Sequence, residues 1–264
     1  VSGHATNVTV IGHLLGPEDL ILHDQLAHNS ITEGARLSGA RRLAFPHNDH
    51  AAAERALAGA RGRHRRALVA IEGHYSMDGT VPHLAAFRDL ARRHEAWLMV
   101  DEAHGLGCLG PTGRGVFEAQ GLAPDAADIW MGTLSKALAG CGGYVAGPRI
   151  LVDWLRHTAP GFVYSVGLSP PLAAAAECAL ALLHAEPWRV ERLQANTAHF
   201  RAALHAAGFD TGGSSGGSIV PVILGDSLRT VRVAAALGRL GVNAQPIAFP
   251  VVPEGQARIR FFLS

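Results

Sequence analysis

Trp97-Leu-Met-Val-Asp101-Glu-Ala-His104-Gly105 and Asp128-Ile-Trp-Met-Gly132-Thr133-Leu-Ser-Lys136 each carry a short apolar run into a turn rich in reactive side chains. Both read as buried strands of an open sheet. Ligands of open parallel sheets bind just beyond the carboxyl ends of the strands, so Asp101 and His104 are expected at the mouth of such a crevice. Lys136 is expected beside them as a nucleophilic amine, its proton loosened by burial. It is also the sole lysine among the 23 Lys and Arg residues, every other one being arginine.

Outward from these two segments, short apolar runs alternate with amphipathic ones. The strands are expected at 20–23, 42–45, 67–72, 97–101, 128–132 and 143–146. Between them, Leu84, Phe87, Leu90 and Ala91 recur on one helical face, and 51–60 and 151–158 read similarly. That alternation describes an α/β fold, a mostly parallel sheet with flanking helices. After Pro170-Pro171 come two long helices, a Gly/Ser loop at 212–217, a strand at 219–224, a helix at 229–240 and two further strands. The expected division is a large α/β domain over 1–170 and a smaller α+β lobe over 171–264.

Composition narrows the classes. With 48% hydrophobic and 17% charged residues, the chain is an ordinary globular protein rather than a disordered one. A net charge of +1 offers no global field for nucleic acid or an anionic membrane. The three separated cysteines form no C-x-x-C pair, which fits a reducing cytoplasm and gives no metal-ligand set. The longest apolar stretch, Leu172 to Leu183, is too short to span a bilayer and is interrupted by Glu177. No secretory signal is visible at the N-terminus. The start at Val1 and the strand-like end at Ser264 read as an excerpt of a longer chain, the first domain incomplete at its N-terminus and the second at its C-terminus.

A carboxylate at one strand end and a lysine past a neighbouring one form the pair that pyridoxal 5′-phosphate (PLP) requires. The lysine forms a Schiff base, and the carboxylate keeps the pyridine nitrogen protonated. Ser2-Gly3-His4-Ala-Thr-Asn7 precedes an apolar helical stretch, where backbone N–H groups can bind a phosphate.

Glu72-Gly-His-Tyr-Ser76-Met-Asp-Gly79, Val100-Asp-Glu-Ala-His-Gly105, Gly113-Arg-Gly115, Gly132-Thr-Leu-Ser-Lys136 and Val252-Pro-Glu-Gly-Gln-Ala-Arg-Ile-Arg260 together resemble, in order and spacing, the α-oxoamine synthases. These are fold-type-I PLP enzymes that join a small amino acid to an acyl thioester with loss of carbon dioxide. The resemblance covers essentially the whole chain. It implies Lys136 as the Schiff-base lysine, Asp101 at the pyridine nitrogen, His104 and Ser76 near the ring's 3′ oxygen, and Thr133 at the phosphate. Gly3 and His4 match the family's phosphate-contacting pair, with histidine in place of the usual aromatic residue. His28 matches the histidine stacked on the cofactor face, which can also reach the thioester oxygen. Arg260 matches the arginine that holds the amino-acid carboxylate. Ser165 matches a serine contributed to the partner subunit's phosphate site.

The expected partners are therefore glycine, alanine or serine, an acyl-coenzyme A or acyl-carrier-protein thioester, and a second copy of the chain in a homodimer. An aminotransferase or aldolase on the same fold, or a catalytically silent interaction domain, are the competing readings. His47, His50, His83, His94 and His199 read as solvated or capping residues, Cys141 as a space filler, and Glu102 as a turn residue.

Overall fold

The computed structural model describes residues 2–264, in two compact units. The first comprises residues up to His74 together with Pro82–Pro187, and the second Tyr75–Val81 with Trp188–Ser264.

The first unit is built on β1 (Leu20–Asp24), β2 (Arg41–Phe45), β3 (Ala67–Glu72), β4 (Trp97–Asp101), β5 (Ile129–Thr133) and β6 (Gly143–Ala146), in the order β2-β1-β3-β4-β5-β6. β1 to β5 run parallel and β6 pairs antiparallel with β5. The sheet agrees with the sequence expectation, its strand bounds to within one residue. Every residue of β3 is buried, as its unbroken apolar run Ala67–Ile71 requires of a strand covered on both faces. Its register with β4 sets Glu72 opposite Asp101, and β4 with β5 sets Asp101 opposite Met131. Two carboxyl-bearing residues therefore end adjacent strands.

Helices α1 (Gly3–Leu14) and α2 (Asn29–Ser38) precede α3 (His50–Ala60), α4 (Leu84–Arg93), α5 (Val116–Ala119), α6 (Arg149–Thr158), α7 (Pro160–Val163) and α8 (Pro170–Ala185). α1 buries Val10, Ile11 and Leu14 in a cluster with Ile21, Leu68 and Met99 of the sheet. α4 turns Leu84, Phe87, Leu90 and Ala91 inward, the face its spacing indicates. α2 was not anticipated, because its buried face is largely small or polar: Ser30, Gly34, Ala35 and Ser38 beside Ile31. Those small side chains permit a close approach to α1. A Cβ on Gly34 would come within 2.9 Å of the Asn7 carbonyl oxygen.

The second unit contains α9 (Trp188–Ala206), β7 (Ile219–Gly225), α10 (Ser227–Arg239), β8 (Gln245–Ile247) and β9 (Ala257–Phe262). Its three strands form an antiparallel sheet in the order β7-β9-β8, giving the α+β character expected of the C-terminal lobe.

Candidate active site

A cavity of about 260 Å³ opens at the carboxyl ends of β3, β4 and β5, and all the residues that line it belong to the first unit. Gly3, His4, His28, Asp101, Thr133 and Lys136 share its wall, and His104 joins them from the turn after β4. Seven of the ten positions singled out in the sequence thus converge, Ser76, Ser165 and Arg260 being the others.

Asp101 is 4% exposed. Its Oδ1 accepts the Ala103 backbone N–H at 2.8 Å and its Oδ2 the Asn7 side-chain amide at 2.7 Å. Those donors fix the carboxylate's plane. Asn7 belongs to α1, 94 residues away in sequence, and was missed because a buried asparagine on an apolar helix carries no signal of its partner.

Glu72 was quoted only as part of a motif, yet it is 3% exposed and lines the same cavity. Burial, and then the charge of Asp101, push its carboxyl well above the ordinary glutamate range. Its Oε1 accepts the backbone N–H of His28 at 2.6 Å.

His28 caps the N-terminus of α2, its Nδ1 accepting the Ser30 N–H at 3.2 Å. Burial lowers its pKa, with Lys136 and His4 adding to the effect and Asp101 opposing it. The His4 ring stands edge-on to it, 6.2 Å between centroids. Thr133 Oγ1 lies 2.8 Å from Ser135 Oγ, and a Cβ on Gly3 would lie 2.8 Å from Thr133 Cβ. Only a residue without a side chain lets the start of α1 approach the end of β5 so closely. Ser2 caps that helix through Ala5 N.

Three expectations need correction. Lys136 is exposed rather than buried, because it sits on the irregular loop between β5 and β6 and not on the strand itself. Glu102 is no surface turn residue: it is 3% exposed, accepts the Val116 N–H at 2.7 Å, and has Gly73, Gly105 and Gly115 packed on its carboxyl. His47 is not solvated but pairs with the buried Asp24 carboxylate at 3.0 Å. His83 does cap α4 through Ala86 N, as read from the sequence.

Ser76 and Arg260 lie together in the second unit. Arg260 Nη1 donates to the Ser76 carbonyl at 2.9 Å, and its guanidinium carbon sits 4.5 Å from the Phe262 ring centre. Burial lowers the Arg260 pKa, and its Nε is buried with no hydrogen-bond partner. Ser165 follows α7, half-exposed, between the exposed Tyr164 and Val166.

An open, mostly parallel sheet carrying a carboxylate and a lysine at its strand ends, with a small antiparallel α+β unit, defines a fold-type-I transferase fold. The chain belongs to the aminotransferase class I and II family, whose model matches residues 1–263. It is 43% identical over 263 residues to a putative 8-amino-7-oxononanoate synthase of Desulforudis audaxviator, covering 100% of this chain and 67% of that protein. To the 8-amino-7-oxononanoate synthase of Symbiobacterium thermophilum it is 41% identical, covering 98% and 66%. A serine palmitoyltransferase solved with PLP superposes with a TM-score of 0.92 at 30% identity, over 99% of this chain and 66% of that one. The chain therefore spans about two thirds of the length of the relatives it matches.

Proposed function

We propose that the protein containing this chain is a PLP-dependent α-oxoamine synthase, condensing a small amino acid with an acyl thioester to give an α-amino ketone, carbon dioxide and a free thiol. The observation that carries this reading is the meeting of Asp101, His28 and Lys136 in one cavity. Relatives named as 8-amino-7-oxononanoate synthases and as serine palmitoyltransferases support it.

The donor set suits the cofactor. Asp101 offers a fixed carboxylate for a pyridinium N–H, Thr133 and the start of α1 offer hydroxyl and N–H groups for a phosphate, and Lys136 offers the amine. Bound there, PLP would supply an electron sink for the carbanion at Cα and for the electron pair left by decarboxylation.

The chain's own residues then divide the work. Lys136 would anchor the cofactor and take the Cα proton of the amino acid on Nζ. Asp101 keeps the ring nitrogen protonated, without which the Cα–H is too weak an acid at neutral pH. His28 would lie against the cofactor ring and offer a hydrogen bond to the thioester oxygen as charge develops there. Ser76 and His104 serve the 3′ oxygen, Gly3, His4 and Thr133 the phosphate, and Arg260 the amino-acid carboxylate. Glycine, alanine or serine is the amino acid, and coenzyme A or an acyl carrier protein brings the acyl group. Ser165, flanked by the exposed Tyr164 and Val166, serves a second copy in a homodimer of the cytoplasm. Among the described residues no helix is long and apolar enough to cross a membrane.

Thiol release from a panel of acyl thioesters with glycine, alanine or serine, and no keto acid present, tests the reading. Turnover that instead requires a keto acid would assign the chain to the aminotransferases, and neither cofactor absorbance nor turnover would leave a silent binding domain.

A further inference from the structure

We propose that Asn7 and Ser30 are positioning residues that fix the tautomer of His28 and tie it to Asp101. The side-chain amide of Asn7 bridges two groups, donating to Asp101 Oδ2 at 2.7 Å and to Ser30 Oγ at 2.9 Å. An ionised carboxylate only accepts, so Nδ2 must face Asp101, and its second hydrogen is the one that reaches Ser30. His28 Nδ1 lies 2.7 Å from the Ser30 hydroxyl oxygen. The backbone N–H of Ser30 donates to the same nitrogen. An N–H aimed at Nδ1 requires that nitrogen to be unprotonated, so neutral His28 carries its proton on Nε2 and the Ser30 hydroxyl turns its hydrogen toward Nδ1.

The chain runs Asp101, Asn7, Ser30, His28, and its two inner members are each 1% exposed. Asn7 holds this arrangement although its own Oδ1 is buried without a partner. A buried amide half satisfied is costly, which argues that the satisfied half has a use. That use, given the reading of His28 as a donor to the thioester oxygen, is to keep an Nε2–H available without giving the ring a charge. The inference rests on that reading only for its purpose. The tautomer stands on the hydrogen bonds alone.

The titratable groups around His28 come from four elements: His4 on α1, Glu72 on β3, Asp101 on β4, and Lys136 on the loop after β5. Donors to Nδ1 stabilise the neutral ring, so removing the Ser30 hydroxyl should raise the pKa of His28 and let the second tautomer appear.

The test is nitrogen NMR of the ¹⁵N-histidine-labelled protein, with and without PLP, the His28 signals assigned by their loss in His28→Gln. The expected result is an unprotonated Nδ1 and a protonated Nε2 at neutral pH. In Ser30→Ala the two nitrogens should move toward averaged shifts and the titration toward higher pH. Ser30→Thr, which keeps the hydroxyl, should restore the original spectrum, and Asn7→Ala should move it in the same direction as Ser30→Ala. With the assembled enzyme, kcat/KM in Ser30→Ala should fall about tenfold, with its acid limb displaced to higher pH. A protonated Nδ1 in the unsubstituted protein, or identical His28 spectra with and without the hydroxyl, overturns the proposal. Failure to bind PLP while the His28 spectra behave as described would instead overturn the function and leave the tautomer assignment intact.

Discussion

Glu102 accepts the backbone N–H of Val116 at 2.7 Å, tying the end of β4 to the start of α5 through a carboxyl that is almost wholly buried. Burial pushes that carboxyl from 4.5 up to about 8, the Val116 hydrogen bond acting against the shift and the neighbouring Asp101 adding to it. The folded protein therefore holds a proton that the unfolded chain releases near pH 4.5. Its contribution to stability is complete below that pH and is lost as pH rises through about 8. Thermal unfolding from pH 5 to pH 9 should show a falling Tm, and Glu102→Gln, neutral at every pH, should flatten the decline. An equal slope in the variant would remove Glu102 as its source, leaving Glu72, whose raised pKa acts in the same direction.

Asp101→Asn confronts two donors with a group that accepts through only one atom. Ala103 N and Asn7 Nδ2 each point at a separate oxygen of Asp101, so the substituted amide must set its NH₂ against one of them. The variant should still take up PLP, read by its absorbance. Its kcat should fall by about 10²–10³-fold, the scale for losing one preorganised electrostatic group. A rate like that of the unsubstituted enzyme would count against Asp101 as the partner of the ring nitrogen.

Gly3→Ala tests the phosphate end of the cavity. The added Cβ would meet Thr133 Cβ at 2.8 Å and Thr133 Oγ1 at 2.9 Å, so either the helix start or the strand end must move. Gly3 heads α1 and is only half-buried, so the fold should survive. PLP affinity should drop about tenfold or more in a fluorescence titration, with circular dichroism unchanged. Unaltered affinity would separate this contact from the phosphate site.

The strand ends were readable from sequence because each β-strand is a short apolar run closed by a polar residue, as β4 is closed by Asp101 and β3 by Glu72. Lys136 was readable for its position and its solitude, but not for its exposure. A run of small neighbours looks alike on a buried turn and on an open loop. What could not be read depended on approach between distant segments. α2 presents mostly small and polar residues to its neighbour, so periodicity does not find it, and Asn7 acquires its meaning only when α1 brings it to Asp101 and Ser30. Glu102 looked like one more polar residue after a strand because its burial arises from Gly73, Gly105 and Gly115, two of them outside its own turn. Likewise, 75–81 groups with the C-terminal strands through contacts such as Arg260 to the Ser76 carbonyl, 184 residues apart.

That last pair sets the remaining prediction. Arg260 is held by the Ser76 carbonyl and by the Phe262 ring, and no carboxylate among the described residues forms an ion pair with it. A guanidinium so placed keeps its planar fork oriented while its Nε stays unused. Arg260→Lys preserves the charge but removes both the fork and the flat contact with Phe262. If the amino-acid carboxylate binds here, KM for the amino acid should rise by about 10–100-fold while KM for the acyl thioester changes little. Arg260→Ala should raise it further, and added guanidinium ion should recover part of the loss. Equal effects on both substrates would point to a structural role in the β7–β9 sheet, and an unchanged amino-acid KM would place the carboxylate elsewhere.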